Sequence, residues 1–441
     1  MNTNIAASHP PESGVDNTYV HTLDRQYVFH SWAQQGSLDP MVIAGAEGCR
    51  VWDYVGRSYL DFSSQLVNTN IGHQHPKVVS AIQAQAASLC TIAPAHANLA
   101  RGEAAKRIIA KAPAGFSKVF FTNAGADANE NAIRMARLYT GRSKILSAYR
   151  SYHGNTGSAI AATGDWRRVP NEYASGHVHF FNPYLYRSEF WARNEEEECD
   201  RALQHLRRVI ECEGANAVAA ILLETIPGTA GVLLPPKAYL QGVRKLADEF
   251  GIVLILDEVM AGFGRTGRWF AFEHYDMAPD LIVFAKGVNS GYVPAGGVII
   301  SEPISRYFDD HFFVGGLTYS GHPLAMAAIV ATLDAMEAEG VVENADAGGN
   351  GPLAERYAII GDWRGVGVFH ALELVSDPVY KTPLPGAEVL KLKQQLMENG
   401  LLVFTVENRL HVVPPCIVTA AEVEEGLAIL DRVLNNYTAS R

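Results

Sequence analysis

Cysteine is scarce. The 441-residue chain holds five, Cys49, Cys90, Cys199, Cys212 and Cys416. They are scattered, odd in number and without a C-x-x-C pair, which argues against a disulfide framework or a zinc site and fits a reducing compartment. Basic residues are outnumbered, 36 Lys and Arg against 47 Asp and Glu, for a formal net charge of −11. A nucleic-acid binder needs a basic face, so that class is set aside. No apolar run approaches the ~18 residues that a membrane helix needs. Met1 to Asp16 is polar, with His9-Pro10-Pro11 and no basic-then-apolar leader pattern. No internal repeat and no long linker interrupts the chain. The expectation is a cytoplasmic protein that engages neither nucleic acid nor membrane.

What is present reads as an ordinary globular enzyme, with 48% hydrophobic and 19% charged residues. The length suffices for two domains, or for one large and one small. Trp52 to Asp61 reads as a hairpin around a glycine-containing turn. Beyond His75 strands and helices alternate: a helix over 77–89, a strand over 118–122, a helix over 126–139, a strand over 144–147, then buried strands over 217–224 and 252–257. That alternation predicts a mostly parallel sheet covered on both faces. The run Glu195 to Glu198 opens a helix, where acidic residues suit the N-terminal dipole. Gly348-Gly349-Asn350-Gly351-Pro352 reads as a flexible loop, followed by a strand-rich stretch and a closing helix from Ala420, which Thr419 and Glu422 cap. We divide the chain into an N-terminal segment (1–70), a large domain (71–325) and a small α+β domain (326–441) with which the N-terminal segment packs.

Two apolar runs end in ionisable residues. Ile252-Val253-Leu254-Ile255-Leu256 ends in Asp257-Glu258, and Leu281-Ile282-Val283-Phe284-Ala285 ends in Lys286. In open α/β sheets ligands bind at the carboxyl ends of strands. A lysine there can form a Schiff base with an aldehyde cofactor, while an aspartate from another strand pairs with a pyridinium nitrogen. A strand-end lysine snorkelling to water has the same pattern. Thr122 to Glu130 joins a strand to a helix through Gly125 and Ala126, whose size lets backbone N–H groups approach a phosphate; a plain tight turn reads alike. Tyr152 stands near a strand end and can stack on a flat ring, or fill a core. His153 has no metal-spaced partner and reads as a hydrogen-bonded structural histidine, and His73 and His75 are weak metal ligands; no metal is expected. Gly262 to Gly267 fits G-x-G-x-x-G, but no helix pattern follows and the preceding strand ends in two acids. A dinucleotide site is therefore not expected.

These stretches resemble the class III, or ω-, aminotransferases of the pyridoxal-phosphate fold type I group. The likeness is carried by Asn70 to Pro76, Thr122 to Ala132, Tyr152-His153-Gly154, Leu256-Asp257-Glu258-Val259, Gly262 to Gly267, Phe284-Ala285-Lys286-Gly287 and Thr318-Tyr319-Ser320-Gly321-His322-Pro323, in the family's order. It implies an α/β fold: a mostly parallel seven-stranded sheet flanked by helices, and a smaller α+β domain built from both termini. It implies pyridoxal 5'-phosphate as cofactor, with Lys286 bound to it and shuttling the proton, and Asp257 on the ring nitrogen. Val259 and Tyr152 would take the two ring faces, Gly125 and Ala126 the phosphate, and Glu224 a place near the cofactor. Thr318 would reach the phosphate of a neighbouring subunit, so a homodimer, or a tetramer of such pairs, is implied. Ala126-Asp127 departs from the family's usual small-Ser/Thr-Glu, and Glu224-Thr225 from its usual Glu-Pro.

The expected reaction moves an amino group from an ω-amino acid or primary amine to pyruvate or 2-oxoglutarate by a ping-pong route. An aminomutase or decarboxylase on the same fold is the alternative, and a non-catalytic protein a third reading. The stretches 60–66 and 425–430 look most like the taurine or ω-amino acid branch. Many relatives place a carboxylate-binding arginine where this chain has His411; Arg409 lies two residues earlier, on the same face of an extended strand. Arg409 or His411 is the expected acceptor contact. Phe29, Trp32 and Leu66 sit where relatives line the donor pocket.

Overall fold

The computed structural model describes residues 15–171, 175–347, 353 and 355–439. The start of the polar N-terminal stretch and the Gly348–Pro352 loop lie outside them. Seven strands form one sheet, in the order Phe116–Thr122, Gly296–Ser301, Leu281–Phe284, Val253–Asp257, Val218–Glu224, Lys144–Ala148 and His177–Phe180. Only Gly296–Ser301 runs antiparallel to its neighbours. Every residue of Val218–Glu224, Val253–Asp257 and Leu281–Phe284 is buried. Such strands read as unbroken apolar runs because both faces are covered.

Side chains alternate between two cores. Val253 and Ile255 join the cluster under the Gly125–Thr140 helix, with Ala128, Ala132, Ile133 and Ala136. Leu254 and Leu256 face the opposite cluster, with Leu206, Ile210, Tyr239 and Val243 from the Glu195–Glu213 and Lys237–Phe250 helices. Full burial of each such side chain contributes about 1.5–3 kcal/mol, so the central strands are fixed firmly enough to hold chemistry at their ends.

The chain's two ends build a second sheet of eight strands. The hairpin of Arg50–Trp52 and Ser58–Phe62 turns at Gly56 (φ 82°). Ser58–Phe62 then pairs in parallel with Leu401–Val406, Leu60 opposite Leu401. Arg409–Val412 lies between Leu401–Val406 and Phe369–Asp377. The stretch expected to be strand-rich also holds a helix, Gly386–Glu398, whose Val389, Leu392 and Leu396 recur at helical spacing and are buried. The closing helix, Ala420–Ala439, opens as expected: Glu422 accepts from the Thr419 N–H and hydroxyl, and Thr419 Oγ1 accepts from Glu422 N.

Candidate active site

Three ionisable residues meet at the carboxyl ends of adjacent parallel strands. Glu224 and Asp257 are register partners, and Asp257 pairs with Val283, one residue short of the end of the Leu281–Phe284 strand. Lys286 follows that strand with φ 45°, at the start of a short 3-10 turn, Lys286–Asn289. A non-glycine residue in that region costs of order 1–3 kcal/mol and persists where its surroundings over-determine it. Burial pushes the Lys286 ammonium down to about 8 from its ordinary 10.5, against the pull of Glu224 and Asp257. Burial pushes the Glu224 carboxyl upward, His153 opposes this and Asp257 adds to it.

Asp257 is held by three donors. Oδ2 accepts from Asn129 Nδ2 at 2.8 Å and lies 2.8 Å from His153 Nδ1, and Oδ1 accepts from Val259 N at 3.0 Å. A carboxylate only accepts, so Nδ1 of His153 carries the hydrogen. The expected structural histidine is thus a buried partner of the central aspartate. Glu224 has two backbone donors, Tyr152 N at 2.9 Å and Gly228 N at 2.8 Å.

The Gly125–Thr140 helix has no side-chain cap at its N-terminus, where Ala124 is the cap residue. Its first N–H groups are therefore open to an anion, with the helix dipole behind them. Close packing preserves this cradle. A Cβ on Gly125 would lie 2.8 Å from Val259 Cγ2, and one on Gly154 (φ 131°) 2.5 Å from Ala126 Cβ. An uncapped helix start, an anchored carboxylate and a lysine of lowered pKa together fit the phosphate, ring nitrogen and aldehyde of pyridoxal phosphate. The residues that would hold it are Gly125 and Ala126, Asp257, and Lys286, with Val259 and Tyr152 alongside.

His411 reaches the same region. It is fully buried, and its Nε2–H donates to the carbonyl of Gly228 at 2.9 Å, the residue whose N–H serves Glu224. Burial pushes its imidazolium down to about 4. Arg409 is close to the same loop. A Cβ on Gly231 would lie 2.5 Å from Arg409 Cδ and 2.5 Å from Arg364 Nη2, and Arg364 Nε donates to Gly231 O. Arg409 pairs with exposed Glu407.

Other expected residues stand apart in the single chain. Phe29 is 87% exposed, Trp32 67% and Leu66 46%, and Thr318 lies on an exposed turn. His73 and His75 turn to different carboxylates, Asp61 and Glu339. Within Gly262–Gly267 no helix opens; Arg265 is wholly buried and donates to Ser64 Oγ, Asn70 Oδ1 and the carbonyls of Val368 and Pro414. Sequence reasoning misses Asn129, although it lies one helical turn past Gly125 in a stretch singled out for phosphate.

Comparison with known proteins gives the geometry a setting. The family model for class-III aminotransferases matches residues 32–434. The chain is 42% identical to the solved taurine:2-oxoglutarate aminotransferase of Bifidobacterium kashiwanohense, in complex with PLP and glutamate, with a TM-score of 0.92 over 96% of this chain and 98% of that one. It is 33% identical to the taurine–pyruvate aminotransferase of Rhodobacter capsulatus over 96% of this chain and 98% of that relative. It is 34% identical to the acetylornithine aminotransferase of Caldanaerobacter subterraneus over 94% and 98%.

Proposed function

The chain belongs to the class-III aminotransferases, and on that footing we propose that it transfers the amino group of an ω-amino acid or small primary amine to a 2-keto acid, pyruvate or 2-oxoglutarate. The observation that carries the reading is the meeting of Lys286, Asp257 and Glu224 at adjacent strand ends. Relatives that act on taurine support the ω-amino donor.

Pyridoxal phosphate, when bound, supplies an aldehyde that exchanges amines and a ring that withdraws electrons from the carbon losing its proton. We assign the remaining work to the chain. Asp257, fixed by three donors, keeps a proton on the ring nitrogen. Lys286 would hold the aldehyde carbon of the cofactor between turnovers. Its Nζ is the base placed to take the proton from the substrate carbon that bears the amine. The lowered pKa leaves that nitrogen basic, with about half of it free of its own proton near pH 8. Gly125 and Ala126 bind the phosphate, and Tyr152 and Val259 flank the ring. One lysine serves both halves, so the deaminated donor leaves before the keto acid enters.

We assign the acceptor carboxylate to Arg409 and not to His411. An imidazole held near pKa 4, with its N–H committed to a carbonyl, is neutral at pH 7. Arg409 offers a guanidinium fork, and its salt-bridge partner among the described residues, Glu407, is 60% exposed and therefore weakly bound. Phe29, Trp32, Leu66 and Thr318 we assign to the contact between two copies, each copy completing its neighbour's site. Large apolar side chains this exposed, with Phe312 at 86% and Tyr319 at 62%, fit a covered face. Light scattering would show a dimer, or a tetramer of dimers. The five cysteines are all free, which supports a cytoplasmic location; no described helix is long and apolar enough to cross a membrane.

The test is a donor and acceptor panel read by amino acid analysis. Formation of alanine or glutamate from the keto acid, at the expense of taurine, β-alanine or a short diamine, supports the reading. Turnover of an amino substrate with no keto acid consumed would contradict it.

A further inference from the structure

A transaminase whose donor and acceptor both carry anions has to place two negative groups. Arg409 accounts for one. Arg167 has no part in the assignments above, yet it packs against Tyr152, a residue of the same site. Its Cζ stands 4.1 Å from the centroid of the Tyr152 ring. Tyr152 is tied through its N–H to Glu224, the carboxylate that borders Lys286. Asp165 grips the guanidinium along one edge: Nε lies 3.0 Å from each carboxylate oxygen, Nη2 bonds Oδ2, and the Arg167 backbone N–H donates to Oδ1 at 2.9 Å. Among the described residues Nη1 has no hydrogen-bond partner. The pair is partly open, with side-chain exposures of 22% for Arg167 and 26% for Asp165.

We propose that Arg167 is the anion station of the donor half-reaction, receiving the terminal sulfonate or carboxylate of an ω-amino donor, while Arg409 serves the keto acid. The proposal rests on the transaminase reading. A guanidinium is a planar fork with more than one two-pronged edge. Asp165 occupies the Nε/Nη2 edge, which leaves the Nη1 side for a second oxyanion. The Tyr152 ring and the Asp165 carboxylate together hold the guanidinium in place, so little freedom remains to be lost when the anion arrives. Asp165 also offsets the charge of the empty station, so an amine without an anion is not repelled. Sulfonate and carboxylate share the oxyanion that the fork recognises, and the choice between them is a readout of the test.

The experiment compares wild-type holoenzyme with Arg167→Gln and Arg167→Lys. Donor KM is measured for taurine, β-alanine and n-propylamine at saturating pyruvate, and ethanesulfonate and propionate are titrated calorimetrically into each protein. Arg167→Gln should raise the KM of the anionic donors, and the Kd of the matching anion, on the order of 10- to 100-fold. The KM for n-propylamine and for pyruvate should stay within about twofold, and Arg167→Lys should recover part of the loss. Equal losses with charged and uncharged donors would make Arg167 a brace for Tyr152 and overturn the proposal, as would a shift confined to pyruvate. If the wild type takes no ω-amino anion as donor, the donor reading falls separately. Calorimetry still decides the station: anion binding weakened by Arg167→Gln keeps it, and unchanged or absent binding removes it.

Discussion

Lys286 has to be uncharged to attack an aldehyde, and the ligand-free site sets how often it is. Burial lowers its pKa from 10.5 to about 8; Glu224 and Asp257 oppose the change and the Arg265 guanidinium adds to it. At pH 8 about half of the side chains are neutral, against about 0.3% for an ordinary lysine, a gain of roughly 160-fold in nucleophile. The assay mixes apoenzyme with pyridoxal phosphate in a stopped-flow instrument between about pH 6 and 10 and follows the visible band. The same reaction with Nα-acetyl-lysine corrects for the ionisation of the cofactor. The corrected rate should rise about tenfold per pH unit and level off near pH 8. Asp257→Asn removes a carboxylate that favours the ammonium form, so its midpoint should fall below that of the wild type. A rate still climbing at pH 10, or a midpoint raised by Asp257→Asn, would refute the argument.

Three more outcomes follow from local geometry. Gly231→Ala, at φ 109° and crowded by Arg409 and Arg364, should cost about 1–3 kcal/mol of stability and raise the keto acid KM about tenfold. Steady-state kinetics with the donor fixed would check the second effect, and an unchanged KM would detach Arg409 from the acceptor. Arg265→Met leaves buried acceptors on Asn70, Ser64 and Pro414 unserved; urea unfolding should show a loss of about 3 kcal/mol. Burial raises the Glu258 carboxyl from 4.5 to about 7, against donors from Thr225, Ala271 and Phe272. The folded state then keeps a proton that the unfolded state has lost, so stability falls as pH rises through that window, by about 3 kcal/mol in all. Glu258→Gln should lack that fall when urea midpoints are compared across the window.

The parts of the site that lie on single strands are legible in the amino-acid sequence. Asp257 and Lys286 stand out because a fully buried strand has no reason to end in a charge other than delivering it. Helix and strand positions in the large sheet are readable for the same reason, since two covered faces leave unbroken apolar runs. What stays hidden depends on register between distant elements. Asn129 and His153 meet Asp257 across 128 and 104 residues, and nothing in their own neighbourhoods points there. Arg265 is masked by its glycines, which suggest a phosphate motif while the arginine between them bridges the two sheets' segments. His411 and Arg409 share one strand face by their spacing, and only the full burial of His411 separates a neutral imidazole from a usable cation. Phe29, Trp32, Leu66 and Thr318 carry no packing signal within one chain, because their assigned role needs a second copy.

The central claim is that Lys286 carries the cofactor and exchanges it with an amine. Its most direct test is reduction of the purified holoenzyme with borohydride, followed by peptide mass spectrometry, beside the visible spectrum before and after adding taurine and then pyruvate. The account predicts a pyridoxyl group on the peptide containing Lys286, a band bleached by the amine and restored by the keto acid, and neither in Lys286→Ala. A pyridoxyl group on another lysine, or a protein that stays colourless with added pyridoxal phosphate, would contradict it.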